Sequence, residues 1–94
     1  MIFAVIGLFR EAALTHDSAL QVEVNEQLAQ PFKRIVNAGF LRDGDGKPTG
    51  VLALIDVPTL AEAQAFLEAS PYRRRGQFER VQVAAYDVEV GRLG

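Results

Sequence analysis

The apolar residues of this chain fall into runs of two different periods, and those periods predict its elements. Ile2 to Phe9 is a nearly continuous apolar run with β-branched residues, which predicts a strand buried on both faces. Arg10–Asp17 is polar and reads as a connection. From Ser18 the spacing lengthens. Leu20, Val24, Leu28, Phe32, Ile35 and Val36 share one helical stripe, predicting a helix from Ser18 to about Ala38. Ser18 and Gln21 form a capping-box pattern at its start, and Gly39 supplies a left-handed cap at its end. Lys33 and Arg34 put positive charge in its last turns, where it suits the helix dipole. Pro31 disturbs this helix, because it removes one backbone hydrogen bond and clashes with the preceding turn at a cost of about 3 kcal/mol. A kink near Gln27–Pro31, or two helices with Pro31 opening the second, is therefore expected.

Phe40–Arg42 predicts a short strand, and Asp43-Gly44-Asp45-Gly46 with Lys47-Pro48 a hairpin turn. The two acids of that turn lack the further ligands and terminal Glu of a calcium loop. Gly50–Val57 is a second nearly continuous apolar strand. Thr59 and Glu62 form a capping box for a helix to Ala69, burying Leu60, Ala63, Phe66 and Leu67, and Ser70-Pro71 stops it. After a polar loop, Gln77–Val90 predicts a long last strand. The order β-α-β-β-α-β is the ferredoxin-like α+β pattern, an antiparallel sheet in the order 4-1-3-2 with its helices on one face. Strands one and three, central in that order, are the two most continuously apolar.

That continuity predicts a homodimer. A sheet covered by helices on one face normally alternates, because its other face is wet. Here the uncovered face is apolar as well, and an apolar patch of that kind marks an interface. In the last strand the apolar parity changes from Val81, Val83 and Ala85 to Tyr86, Val88 and Val90. A β-bulge near Ala84–Tyr86, or a tail crossing onto a partner, would account for the change.

Composition narrows the function classes. Residues 1–94 make a single domain. Apolar residues are 49% and charged residues 23% of the chain, which argues against disorder. A formal charge of −2 exerts no general pull on nucleic acid. There are no cysteines, which removes disulfides, thiolate metal sites and a Cys nucleophile. No P-loop, dinucleotide fingerprint or His/Glu metal spacing is present, so neither cofactor nor metal is expected. The run Ile2–Phe9 is too short to span a membrane and has no basic region before it, so a cytoplasmic protein with no membrane partner is expected.

Ser70-Pro71-Tyr72 followed by Gly76, Glu79, Val81 and Val83 resembles the C-terminal signature of the YCII-related family, in which an Asp-Pro-Tyr or Asp-Pro-Phe triplet leads through a Gly into the last strand. The preceding helix, with Ala61, Glu62, Ala63 and Phe66, is similar to the family's Ala-rich helix. The resemblance implies a dimeric α+β barrel and an active site pairing a first-helix His with the Asp of the triplet, the carboxylate raising the basicity of the imidazole. In this chain the Asp position holds Ser70, and counting back from Gly39 puts Leu28 at the His position. The only histidine, His16, lies about three helical turns earlier.

Ser70, Tyr72, Arg74 and Arg75 are the candidate ligand-binding residues; no catalytic set can be named. Tyr72 lies where the family's cleft would be, either as a ring packed over the helix end or as a phenol bonding a ligand. Ser70 either terminates its helix or offers a hydroxyl to the pocket. Arg73-Arg74-Arg75 is a solvated face or a clamp for a carboxylate or phosphate, with one or two of the three serving. Two functions are consistent with this. One is a binding or accessory protein for a small anionic or aromatic metabolite. The other is a cofactor-free lyase- or isomerase-like enzyme acting on a small organic acid through Tyr72, Ser70 and an Arg. His16→Ala is expected to leave ligand binding and any activity unchanged; a strong loss on titration would instead place the site at the start of the first helix.

Overall fold

Hydrogen bonding between extended segments sets the frame. The structure, a computed structural model, describes residues 1–11, 18–29 and 34–91. Its elements are β1 (Ile2–Phe9), α1 (Ser18–Leu28), β2 (Arg34–Arg42), β3 (Pro48–Asp56), α2 (Leu60–Glu68), α3 (Pro71–Arg74) and β4 (Phe78–Ala85). The strands form one antiparallel sheet in the order β2-β3-β1-β4, the expected ferredoxin-like arrangement with β1 and β3 in the middle. Among the described residues, no helix is long and apolar enough to cross a membrane.

Residues paired across an antiparallel ladder share a face. Phe3, Val5 and Gly7 therefore lie on the same side as Ile55, Ala53 and Val51 of β3. The helices cover this side. Phe3, Val5, Ala53 and Ile55 join Leu20, Ala63, Phe66 and Leu67 in the buried core. The opposite side carries Ile2, Ala4, Ile6 and Leu8 of β1 beside Leu54 and Leu52 of β3. Leu54 is buried yet stands apart from that core, and Leu8 is exposed. An apolar second face, expected from the unbroken character of these strands, is thus present.

Local chemistry closes the connections. Asp43 Oδ1 accepts from the backbone N–H groups of Asp45 and Lys47, and Gly46 takes φ +83°, so the acidic turn is a hairpin. Thr59 caps α2, its hydroxyl accepting from Glu62 N at 3.2 Å, a bond of the kind that contributes about 0.5–2 kcal/mol. Pro71, at the first position of α3, starts a further helical turn where a plain loop was expected, since its fixed φ suits that position and its missing N–H costs nothing there.

Four expectations are corrected. Leu60, expected in the core with Ala63, Phe66 and Leu67, opens α2 on its exposed side. The first helix ends at Leu28 rather than near Ala38, and Ile35, Val36 and Gly39 belong to β2, not to a helix and its cap. The reason is the free edge of β3. A helix to Ala38 would leave only Phe40–Arg42 to satisfy the backbone groups of a nine-residue strand. Pairing from Arg34 onward satisfies that edge along its length. The last strand stops at Ala85, not Val90, because its partner begins at Ile2: the Tyr86 N–H bonds Ile2 O at 2.9 Å, and no β1 backbone remains beyond it. The register irregularity lies at the other end of β4, where Leu8 pairs with Arg80 but Phe9 pairs with Phe78, leaving Glu79 as the extra residue. Pro31 with its expected kink, and His16, lie outside the described residues.

Gly7 has a specific packing reason. A Cβ built on it would stand 2.4–2.7 Å from ring atoms of Phe78. Gly7→Ala is therefore expected to destabilise the fold by about 1–3 kcal/mol, the scale of overpacking a tight site, read from the urea midpoint. An unchanged midpoint would mean that Phe78 moves aside freely.

Candidate functional site

The covered face of the sheet is not covered evenly. α2 packs over β1 and β4, while α1 packs against α3. Between α1, the end of α2 and the β2–β3 half of the sheet lies a cavity of about 270 Å³. Its floor is sheet: Gly7, Val51, Ala53, Ala38 and Phe40. Its walls are Val24 and Gln27 of α1, Phe66 and Leu67 of α2, then Ser70 and Tyr72, with Phe78 at one side.

Aromatic packing fixes that side. Phe9 and Phe78 stack with centroids 5.6 Å apart, and Tyr72 meets Phe9 edge-on at 5.2 Å and Phe78 at 5.8 Å. Phe40 joins from β2 at 6.4 Å from Phe9. Such pairs contribute about 0.5–1.5 kcal/mol each beyond the area they bury. They hold α3 on the sheet, and α3 places Ser70 at the junction with α2. Ser70 N–H bonds Leu67 O, one residue short of its helical partner at Phe66. The Phe66 carbonyl is taken up by Gln27, whose Nε2 donates to it at 2.9 Å, linking α1 to the last turn of α2.

The four sequence-predicted residues separate. Ser70, 8% exposed, and Tyr72, 3% exposed, line the cavity. Arg74 and Arg75 are not among its lining residues. The Arg75 guanidinium pairs with Glu23 of α1 at 3.2 Å, and Arg73 pairs with Glu68 at 3.5 Å. These half-exposed pairs, of the kind contributing about 0–1 kcal/mol each, tie α3 to its neighbouring helices. Gln27, Phe40 and Phe78 also line the cavity without having been singled out. A signal for Gln27 existed: it lies three residues after Val24 and seven after Leu20, on the buried stripe of an otherwise polar helix. Among the described residues, no group of His, Cys, Asp and Glu could hold a metal ion.

The family model of the YCII-related domain matches residues 1–87. No curated protein matches the chain. Among solved structures, the chain is similar to 5-chloro-2-hydroxyhydroquinone dehydrochlorinase (TftG) from Burkholderia phenoliruptrix AC1100, in complex with 2,5-dihydroxybenzoquinone. The TM-score is 0.63 at 20% identity, covering 93% of this chain and 94% of that one, a likeness of fold. Tyr72→Ala is expected to cost about 3–5 kcal/mol of stability, since it opens the aromatic cluster, whereas Arg75→Ala should cost under about 1 kcal/mol. Equal urea midpoints for the two variants would contradict this division.

Proposed function

The chain belongs to the YCII-related domain family, and on that footing we propose that it is a homodimeric binding protein for small aromatic molecules, held in the cavity beside Tyr72. The observation that carries this reading is the cavity wall itself. Phe40, Phe66, Tyr72 and Phe78 present rings around a space of about 270 Å³. An apolar cavity of about 150 Å³ holds a benzene ring, so a substituted single ring fits here. TftG, of the same fold, is described with a quinone bound. The place of the family's Asp is held by Ser70, a neutral hydroxyl in the wall, which favours binding over proton abstraction. With the two Arg candidates outside the lining, an aromatic ligand is favoured over an anionic one.

The dimer reading rests on the second face of the sheet. Ile2, Ala4, Ile6, Leu8, Leu52 and Leu54 stand there together, and a second copy burying them would remove them from water. The contribution would be about 25 cal/mol for each Å² covered.

Two measurements test the proposal. Phenol titrated into the protein by calorimetry is expected to bind, and Tyr72→Phe to weaken it by no more than about 1 kcal/mol because the ring stays. Heat flow indistinguishable from dilution would defeat the binding reading. Sedimentation at micromolar concentration is expected to show twice the chain mass of 10.3 kDa, with Ile6→Glu shifting it toward monomer. A 10.3 kDa species alone for the unaltered protein would defeat the dimer.

A further inference from the structure

We propose that the cavity selects the neutral form of a hydroxylated aromatic ring over its anion, with the Gln27 amide and the Ser70 hydroxyl holding the ring's hydroxyl group; this rests on the aromatic-binding reading above.

The orientation of Gln27 is set by its partner. Its side chain donates to the Phe66 carbonyl at 2.9 Å, and a carbonyl only accepts, so the nitrogen faces Phe66. The amide oxygen is the acceptor left over on a side chain that lines the cavity. An amide oxygen accepts the proton of a phenol and repels a phenolate. Ser70 complements it. The residue is 8% exposed, its hydroxyl makes no capping bond to the α3 it precedes, and it lines the same cavity. A serine hydroxyl both donates and accepts, so it donates to the oxygen of the same ring hydroxyl whose proton Gln27 accepts.

The surroundings penalise charge. Val24, Phe40, Ala53, Phe66 and Phe78 are apolar walls, with Asn25 and Tyr72 the further polar residues of the lining beside Gln27 and Ser70. An anion entering them loses its hydration, which is far more costly than burying a neutral hydroxyl that finds an acceptor. A nearby cation would offset that loss, but the Arg10 guanidinium is engaged with Phe78 O at 3.3 Å, and neither it nor the other charged side chains of the surrounding elements line the cavity. Among the described residues, Glu23 and Glu26 of α1, Glu62 and Glu68 of α2, and Arg73 and Arg74 of α3 do not line the cavity. Neither do Arg42 of β2, Asp56 of β3, Glu79 and Arg80 of β4, or Arg75. The Arg42 guanidinium lies 5.6 Å from the Phe40 ring centroid and donates to Gly46 O of the hairpin. Tyr72 is the one titratable side chain among the described lining residues.

The test uses three probes on the whole chain: toluene, phenol and 4-nitrophenol. 4-Nitrophenol ionises near neutrality and absorbs differently in its two forms. Bound 4-nitrophenol is expected to show the spectrum of the neutral phenol. Its apparent Kd should rise about tenfold for each pH unit above its own pKa, because only the neutral fraction is competent. Phenol, with a pKa of about 10, should bind with constant affinity over the same range. Gln27→Leu should weaken phenol about tenfold, the worth of one hydrogen bond, and leave toluene unchanged. A bound phenolate spectrum or a flat 4-nitrophenol profile overturns neutral-form selection while leaving aromatic binding standing. Equal weakening of toluene and phenol by Gln27→Leu makes Gln27 a packing residue and overturns its part. Failure of all three probes to bind the unaltered protein overturns the cavity reading, and this inference with it.

Discussion

The ring of Phe78 lies against the backbone of Gly7, at a distance no Cβ would allow, and the rest of the covered face follows from that contact. Gly7 is the one position on this face of β1 without a side chain, and Phe78 occupies the space. Phe9 then stacks on Phe78, and Tyr72 closes edge-on against both rings. Tyr72 belongs to a helix of only four residues, too short to hold its shape alone. Its fixation by aromatic packing places Ser70, and with it the end of α2, against the cavity. A single missing methyl on a central strand is thus connected to the geometry of a site several elements away in sequence.

The two faces of the sheet solve different problems. On the helical side, α2 lies over β1 and β4, while α1 leans on α3. The division leaves a gap rather than a filled core, and Gln27 spans it by taking up the carbonyl that the tightened last turn of α2 releases. A polar side chain is tolerated there because its amide nitrogen has a partner. On the other side, the apolar residues of β1 and β3 have no helix over them. The same strands therefore supply both a core and an apolar surface that no helix covers.

Ser70 connects fold and chemistry. An Asp at this place would bring charge to the cavity wall. A serine keeps the backbone role, ending α2 and preceding Pro71, while making the wall neutral.

Much of this was legible from residue order. Period and turn chemistry identify β1, β3, the acidic hairpin and the Thr59 cap, because each depends on neighbours within a few residues. The apolar continuity of β1 and β3 also identifies them as the central strands. Ser70 and Tyr72 were singled out through the triplet that Pro71 joins, and both line the cavity. The end of α1 was not. Ile35 and Val36 fit a helical stripe as well as a strand, and only the unpaired edge of β3, distant in sequence, makes the strand the lower-energy choice. The end of β4 was set by where β1 begins, not by its own apolar residues. Gln27 and the Arg cluster were decided the same way: the Gln by a carbonyl on another helix, and Arg75 by Glu23 across the α1–α3 contact. Local sequence determined which segments are extended, which are helical and where they turn. Tertiary structure determined which backbone groups each segment must satisfy, and therefore which side chains face the cavity.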